Sequence, residues 1–345
     1  MKRSLLHCAL LALATGSSPP ANSAQPTVEE AKRWLERMIQ TTQNLSYEGT
    51  FIYVQGPHVE AMRIVHGGGQ DGERQRLVSL TGPLREILVT RNGVTCLLPK
   101  QHTTFTDSEY RHSRFPISIP REISQLENQY DLETVGQDRT AGVDAQVVAI
   151  KPRDNLRYGY RLWLDRRNGM LLRSAILDDK GYPVEQLMFT DLQIKDRIDE
   201  TAFQPSIPKQ EMEPTPATQP AATANPPAGV PITHSAWSVA RLPDGFVKVL
   251  HNRFTETSGR HPTEHMVFAD GLATVSVFVE RLDDASPLLQ GESQLGSMNA
   301  FGTKLGNYQV LVVGEVPAAT VRSIGAAISY NPEVAKSTAE EESKP

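Results

Sequence analysis

The sequence predicts an α+β protein of two domains, one built on a large curved antiparallel sheet and one on a smaller antiparallel sheet with a helix. Three observations carry that expectation. A period-two alternation of apolar and polar residues runs through most of the chain from Tyr47 onward, broken by turn dipeptides. A helical apolar stripe occurs only near the start and near the end. Between the two strand-rich parts, residues 204–232 hold eight prolines among Ala and Thr, with no face to bury and few free N–H groups. Such a stretch is expected to be an extended, partly polyproline tether, spanning roughly 30 Å as coil and ~90 Å if fully extended.

Taken in order, residues 1–24 read as a secretory signal. Lys2 and Arg3 precede an apolar run from Leu5 to Ala14, and small residues lead to a cut expected near Ala24. That run is too short to span a bilayer, and Cys8 lies too early in it for a lipoprotein cysteine. Removal of the signal leaves Cys96 as the sole cysteine, so no internal disulfide is expected, and its setting in an apolar run points to a buried structural thiol. It also takes two positive charges from a chain of net charge −5, which argues against a nucleic-acid partner.

The first domain is assigned to residues 25–203. Thr27 and Glu30 form a capping box, and Val28, Ala31, Trp34, Leu35, Met38 and Ile39 follow at helical spacing, giving a helix that must lie on a sheet. Asn92-Gly93, Asn168-Gly169 and Lys180-Gly181 supply residues tolerant of positive φ between apolar runs, as hairpins require. The clearest meander runs from Arg157 to Ile194, with Tyr158, Tyr160, Leu162 and Leu164 alternating against Arg161, Trp163 and Asp165. Residues 107–129 break the rhythm and are expected to form a loop and a short helix against the sheet.

After the tether, a second domain is assigned to residues 233–331. Strands are expected at 236–239, 246–250, 265–269, 272–280 and 308–313, with Asp270-Gly271 as a turn and Val275, Val277 and Val279 as a core face. Pro317 is expected as the first residue of a closing helix with Val321, Ile324 and Ile328 on one side. Residues 332–345 are too polar to fold alone and are expected to be a disordered tail.

Two chemical-looking motifs fail on context. Gly67-Gly68-Gly69-Gln70-Asp71-Gly72 fits a dinucleotide fingerprint, and with His66 it suggests an esterase oxyanion loop, yet no helix follows it and no G-x-S-x-G elbow exists. It is better read as a hairpin tip. His261-Pro262-Thr263-Glu264-His265 fits a zinc-peptidase pattern, but His265 leads directly into a strand, where the two histidines cannot share a helical face. No catalytic constellation can be assembled, so the chain is expected to be a binding protein and not an enzyme, with no metal and no cofactor.

Several runs nevertheless carry a resemblance. Residues 270–280 (Asp270 to Glu280), 312–317, 242–246, 158–165 and 47–51 together resemble the MucB/RseB family of envelope-stress regulators, across about residues 27–328. That resemblance implies a first domain similar to LolA/LolB-type lipoprotein carriers, a half-open β-barrel wrapped around helices. It implies a periplasmic negative regulator of the envelope-stress sigma factor. Its partner would be the periplasmic domain of an inner-membrane anti-sigma factor, which it would shield from proteolysis. Lipopolysaccharide or lipoprotein acyl chains would be the sensed ligands. The tether here is long and unusually rich in Pro, Ala and Thr for that pattern, which bears on domain spacing. Candidate residues lining a lipid pocket are Trp34, Phe51, Tyr53, Trp163 and Phe189. Partner contact is assigned to the second domain, with Phe246, Val247, Arg253 and Arg322 as candidates. A homo-oligomer is left open. The alternative is a periplasmic lipid or lipoprotein carrier without a signalling partner.

Overall fold

The computed structural model describes residues 28–68, 73–90, 93–98, 103–107, 119–120, 122–206, 229–254, 262–282 and 288–334. The opening helix α1 (Val28–Asn44) turns Ala31, Leu35 and Met38 inward. Eleven strands follow in one antiparallel sheet. They are β1 (Ser46–Gln55), β2 (His58–Gly67), β3 (Arg74–Ser79), β4 (Glu86–Thr90), β5 (Gly93–Leu98), β6 (Thr103–Asp107), β7 (Tyr130–Thr140), β8 (Val143–Pro152), β9 (Gly159–Asp165), β10 (Leu171–Leu177) and β11 (Pro183–Lys195). Their spatial order, β6-β5-β4-β3-β2-β1-β11-β10-β9-β8-β7, leaves β6 and β7 as the two edges, so the sheet curves without closing. Sequential hairpins make nearly every neighbour; the pairing of β1 with β11 joins the two halves. At the Asn168-Gly169 turn between β9 and β10, Gly169 adopts φ +83°, the left-handed conformation that glycine tolerates without strain.

Alternation divides the sheet into two faces. Tyr160, Leu162 and Leu164 of β9 join Val148, Ile150, Tyr130 and Leu132 under α1 in one buried cluster. Across the β1–β11 junction the same face continues as Tyr47, Phe51, Met62, Ile64, Leu77, Leu187 and Phe189. The opposite face carries a smaller cluster of Ala145, Val147, Trp163, Leu172 and Ala175. The expected short helix is a 3-10 helix, Ile123–Asn128, which inserts Ile123 and Leu126 beneath the inner face. Residues 108–118, part of the same expected loop, lie outside the described residues, as do residues 1–27 with the signal and Thr27.

The smaller domain has a seven-stranded sheet of order β12-β14-β15-β16-β19-β18-β17. These are β12 (Val230–Pro231), β14 (Val247–Phe254), β15 (Thr263–Ala269), β16 (Thr274–Arg281), β17 (Gly291–Leu295), β18 (Met298–Leu305) and β19 (Tyr308–Gly314). A two-stranded ribbon of β13 (Trp237–Val239) and β20 (Ile328–Tyr330) flanks it. Helix α2 (Ala318–Ala326) packs Val321 and Ile324 on Val275, Val277, Val310 and Val312. Val275, Val277 and Val279 are indeed the core face of a central strand.

Four local expectations change. Pro317 is the N-cap, with extended ψ 151°, and α2 begins one residue later. Val230 and Pro231, inside the stretch assigned to the tether, pair with Arg253 and Asn252 of β14; an edge position is where a proline lacking N–H can join a sheet. At the tether's other end, Ser206 N–H donates to Glu86 at 3.2 Å. Asn331 Oδ1 accepts from Glu333 N–H at 3.0 Å, and residues 332–334 form one helical turn in the stretch expected to be disordered tail. Cys96 on β5 is half-buried, not fully buried, with burial raising its thiol pKa.

Candidate functional site: the seam between the domains

The Asp270-Gly271-Leu272-Ala273 turn between β15 and β16 is built as a hook. Asp270 Oδ1 accepts the backbone N–H groups of Leu272 (2.9 Å) and Ala273 (2.7 Å), fixing the turn on its own carboxylate. Gly271 takes φ +102° there. The hook reaches the larger domain, and Leu272 packs against the α1 cluster. On the other oxygen, Asp270 Oδ2 accepts from Arg157 Nη1 at 2.7 Å and from the Tyr130 hydroxyl at 2.9 Å.

Arg157, in the loop entering β9, is fully buried yet completely engaged. Its Nη2 donates to the Asp244 carbonyl at 2.6 Å, and its Nε donates to Asp154 at 3.1 Å. The guanidinium lies over the Phe246 ring at 5.1 Å and the Tyr130 ring at 5.8 Å. Burial, then the neighbouring Asp270 charge, drives the Tyr130 hydroxyl pKa well above its ordinary value, so it remains a donor. Beside this cluster Gly245, at φ +84°, lies so close to the Gln129 side chain that a Cβ would sit 2.6 Å from it.

Three further contacts stitch the seam. Asn299 Nδ2 donates to the Tyr158 hydroxyl (2.9 Å) and to the Val316 carbonyl (2.8 Å). Thr320 Oγ1, in the first turn of α2, donates to the Leu156 carbonyl at 2.5 Å. Ser297, in the β17–β18 turn, lies 2.6 Å from Glu185 Oε2 of β11 and 2.7 Å from Glu315 Oε1 after β19. The seam therefore lies over one end of the inner face, where Tyr53, Tyr160 and Glu185 point.

Of the expected pocket residues, the structure brings Phe51, Tyr53 and Phe189 together; the Phe51 and Phe189 rings meet edge-on at 5.7 Å. Trp34 stands on α1 beside the adjoining cluster. Trp163 does not join them. Its odd register on β9 sends it to the opposite face, where Nε1 donates to Asp138 at 2.8 Å and the Arg173 guanidinium stacks 4.2 Å from its ring.

The partner candidates separate as well. Phe246 is 5% exposed and forms part of the seam beneath Arg157, so it is an internal contact. Val247 is 60% exposed at the start of β14. Arg253 is ion-paired with Glu264 at 3.1 Å, and Arg322 with Glu292. Sequence reasoning missed Arg157, Asp270, Ser297, Asn299 and Glu315 as functional groups; a buried arginine contacting the other domain leaves no local pattern. His265, once read beside a zinc motif, is in β15 and stacks on Phe278 at 4.3 Å. Among the described residues no group of three or more His, Cys, Asp or Glu is placed to hold a metal.

Comparison with known proteins covers both domains. The family model for the MucB/RseB N-terminal domain matches residues 30–207, and that for the MucB/RseB C-terminal domain matches residues 231–329. The sigma factor AlgU regulatory protein MucB of Pseudomonas aeruginosa is 31% identical over 331 residues, covering 94% of this chain and 97% of that protein. The sigma-E factor regulatory protein RseB of Escherichia coli is 26% identical over 332 residues, covering 95% and 96%. In the solved complex of Pseudomonas aeruginosa MucA/MucB, the matching chain is 28% identical with TM-score 0.67, covering 88% of this chain and 99% of that one. A crystal structure of MucB in complex with MucA(peri) gives TM-score 0.66 at 28% identity, covering 87% and 99%.

Proposed function

Because the chain belongs to the MucB/RseB family, we propose that it is a periplasmic negative regulator of an envelope-stress sigma factor. It binds the periplasmic segment of a membrane-spanning anti-sigma factor and shields that segment from proteolysis. It is a binding protein, not an enzyme, and it is exported by a signal cut near Ala24. No helix among the described residues is long and apolar enough to cross a membrane. The similar MucB has been solved bound to MucA(peri), which supports the same class of partner here.

One observation carries the mechanism: the run Asp270–Glu280, one of the five that carry the family resemblance, is also the element that hooks the two domains together through Arg157. A ligand shifts such an arrangement only by preferring one state over the other. Acyl chains entering the inner face beside Phe51 and Phe189 would contribute about 0.8 kcal/mol per buried CH₂. An acyl chain or lipopolysaccharide that favours the unhooked state would release the partner. The direct test is calorimetric titration of the protein with the anti-sigma periplasmic segment, repeated with acyl ligand present. Saturable binding that weakens with ligand is expected. Acyl binding with no affinity for the segment would instead favour a carrier without a signalling partner.

A further inference from the structure

Ser297 has one hydroxyl proton and two carboxyl oxygens within hydrogen-bonding reach, at 2.6 Å to Glu185 and 2.7 Å to Glu315. The hydroxyl can donate to only one of them. The second short O···O contact needs a proton of its own, and only a neutral carboxylic acid can supply it. We propose that Glu185 and Glu315 hold one shared proton through the Ser297 hydroxyl, so that docking of the two domains binds a proton, is strengthened by acid and is released as the pH rises.

The surroundings decide which carboxyl carries it. Glu185 Oε2 also faces the Gln55 amide at 3.5 Å, and the Glu185 carboxyl hydrogen-bonds with the Tyr53 hydroxyl, so donors converge on it. Glu315 has Ser297 as its hydrogen-bonding side chain. Its pKa is raised by burial, which outweighs the lowering effect of the Ser297 bond, and the Glu185 charge adds a smaller rise. The relay therefore runs from the Glu315 carboxyl to the Ser297 oxygen, and from the Ser297 hydroxyl to the Glu185 carboxylate.

Among the described residues, the other groups around the relay do not supply a free cation to replace the proton. Tyr53 comes from β1, Glu60 from β2, Tyr158 from the approach to β9, and Tyr160 from β9 itself; Asp178 and Asp270 act on the two latter tyrosines. Burial above all keeps Tyr53, Tyr158 and Tyr160 protonated and neutral. The Arg85 guanidinium is held by Glu60 at 2.7 Å, and that of Arg157 by Asp270.

The sign follows from where the proton is tighter. Undocked, the Glu315 carboxyl loses this burial and returns toward the ordinary glutamate value of 4.5. Docked, the pair holds its proton to higher pH. The stabilisation is thus full below 4.5 and is lost as pH rises through the raised docked value. Ser297 is 1% exposed, so water does not take over its role while the seam is closed.

The test uses the whole protein and two readouts. Difference infrared spectroscopy across a pH titration should show a protonated-carboxyl stretch that persists above pH 4.5 and that Glu315→Gln removes. Amide hydrogen exchange should report seam opening at Ala273, whose N–H is held by Asp270. Its opening constant should rise up to about tenfold per pH unit, the slope of one proton, from about 4.5 up to the docked pKa, and level off above it. In Glu315→Gln the carboxamide replaces the acid as donor to Ser297, and that slope should vanish with the seam still closed. Ser297→Ala should open the seam at every pH. A missing carboxyl band, a flat wild-type profile, or an unchanged slope in Glu315→Gln would each overturn the proposal.

Discussion

Arg157 and Asp270 are 113 residues apart and meet as an ion pair, Nη1 to Oδ2 2.7 Å, with both side chains 0% exposed. Desolvating two charges costs several kcal/mol per ion, and only good geometry with further hydrogen bonds repays it. Both conditions are met: Asp270 also accepts from Tyr130, Leu272 and Ala273, while Arg157 also donates to Asp154 and Asp244. The pair therefore specifies one docking geometry, because any displaced arrangement leaves a buried charge unpaired.

Removing one partner should be far worse than removing both. Asp270→Ala strands the guanidinium and is expected to destabilise the docked protein by about 3–5 kcal/mol. Chemical denaturation should then separate into two transitions, one per domain. The double variant Arg157→Met, Asp270→Leu should regain much of the loss. Equal midpoints for the wild type and Asp270→Ala would refute this account of the seam.

The two faces of the large sheet give a second prediction. Phe189→Ala removes a ring from the inner cluster beside Phe51 and should cost about 3–5 kcal/mol while changing acyl-probe affinity. Trp163→Phe keeps most of the outer-face packing but loses the bond to Asp138. It should cost about 1 kcal/mol and leave acyl binding unchanged. Fluorescent fatty-acid titration of both variants separates the faces; lost binding in Trp163→Phe would reverse the assignment.

Much of this architecture was legible in short-range pattern. Asn168-Gly169 and Lys180-Gly181 do turn the meander, and the Val275-Val277-Val279 alternation does mark a central strand. The alternation of β9 already separated Trp163 from Tyr160, Leu162 and Leu164, so its placement on the outer face was readable from the same period that found the strand. β17 was not readable: all five of its residues are exposed, so burial imposed no alternation on Gly291–Leu295. Nor was the seam, because Arg157, Asp270 and Ser297 are neighbours only after both domains have formed. The Asp270-Gly271 turn and the strand after it were readable from the pattern; their physical role as a hook required the contacts themselves.

Arg322 offers a clean separation of recognition from stability. Its ion pair with Glu292 is exposed on both sides, and exposed pairs contribute little to stability. Arg322→Ala should therefore leave the melting temperature nearly unchanged. If this arginine contacts an acidic stretch of the anti-sigma segment, affinity should fall about tenfold and the remaining binding should depend less on salt. Unchanged affinity would remove Arg322 from the contact surface.

The smaller domain should respond to acid in the opposite sense to the seam. Burial, then the nearby His251 charge, lowers the His265 pKa from 6.5 to about 4. The folded domain thus holds His265 neutral, whereas the unfolded chain takes up a proton below 6.5. Stability from this group is present above 6.5 and is lost as pH falls from there through about 4. Glu264 adds a loss at lower pH. Burial alone would raise its pKa, but bonds from His251, Ser235 and Arg253 bring it below the ordinary value, so its contribution disappears as pH falls below 4.5. His265→Phe should retain the ring stack on Phe278, lose the 3.1 Å contact with Ser276, and flatten the decline between about pH 6.5 and about pH 5. Exchange protection at the Val277 amide reads the smaller domain's core without the seam's contribution. A decline at Val277 that persists undiminished in His265→Phe would show that another group sets the acid sensitivity of this domain.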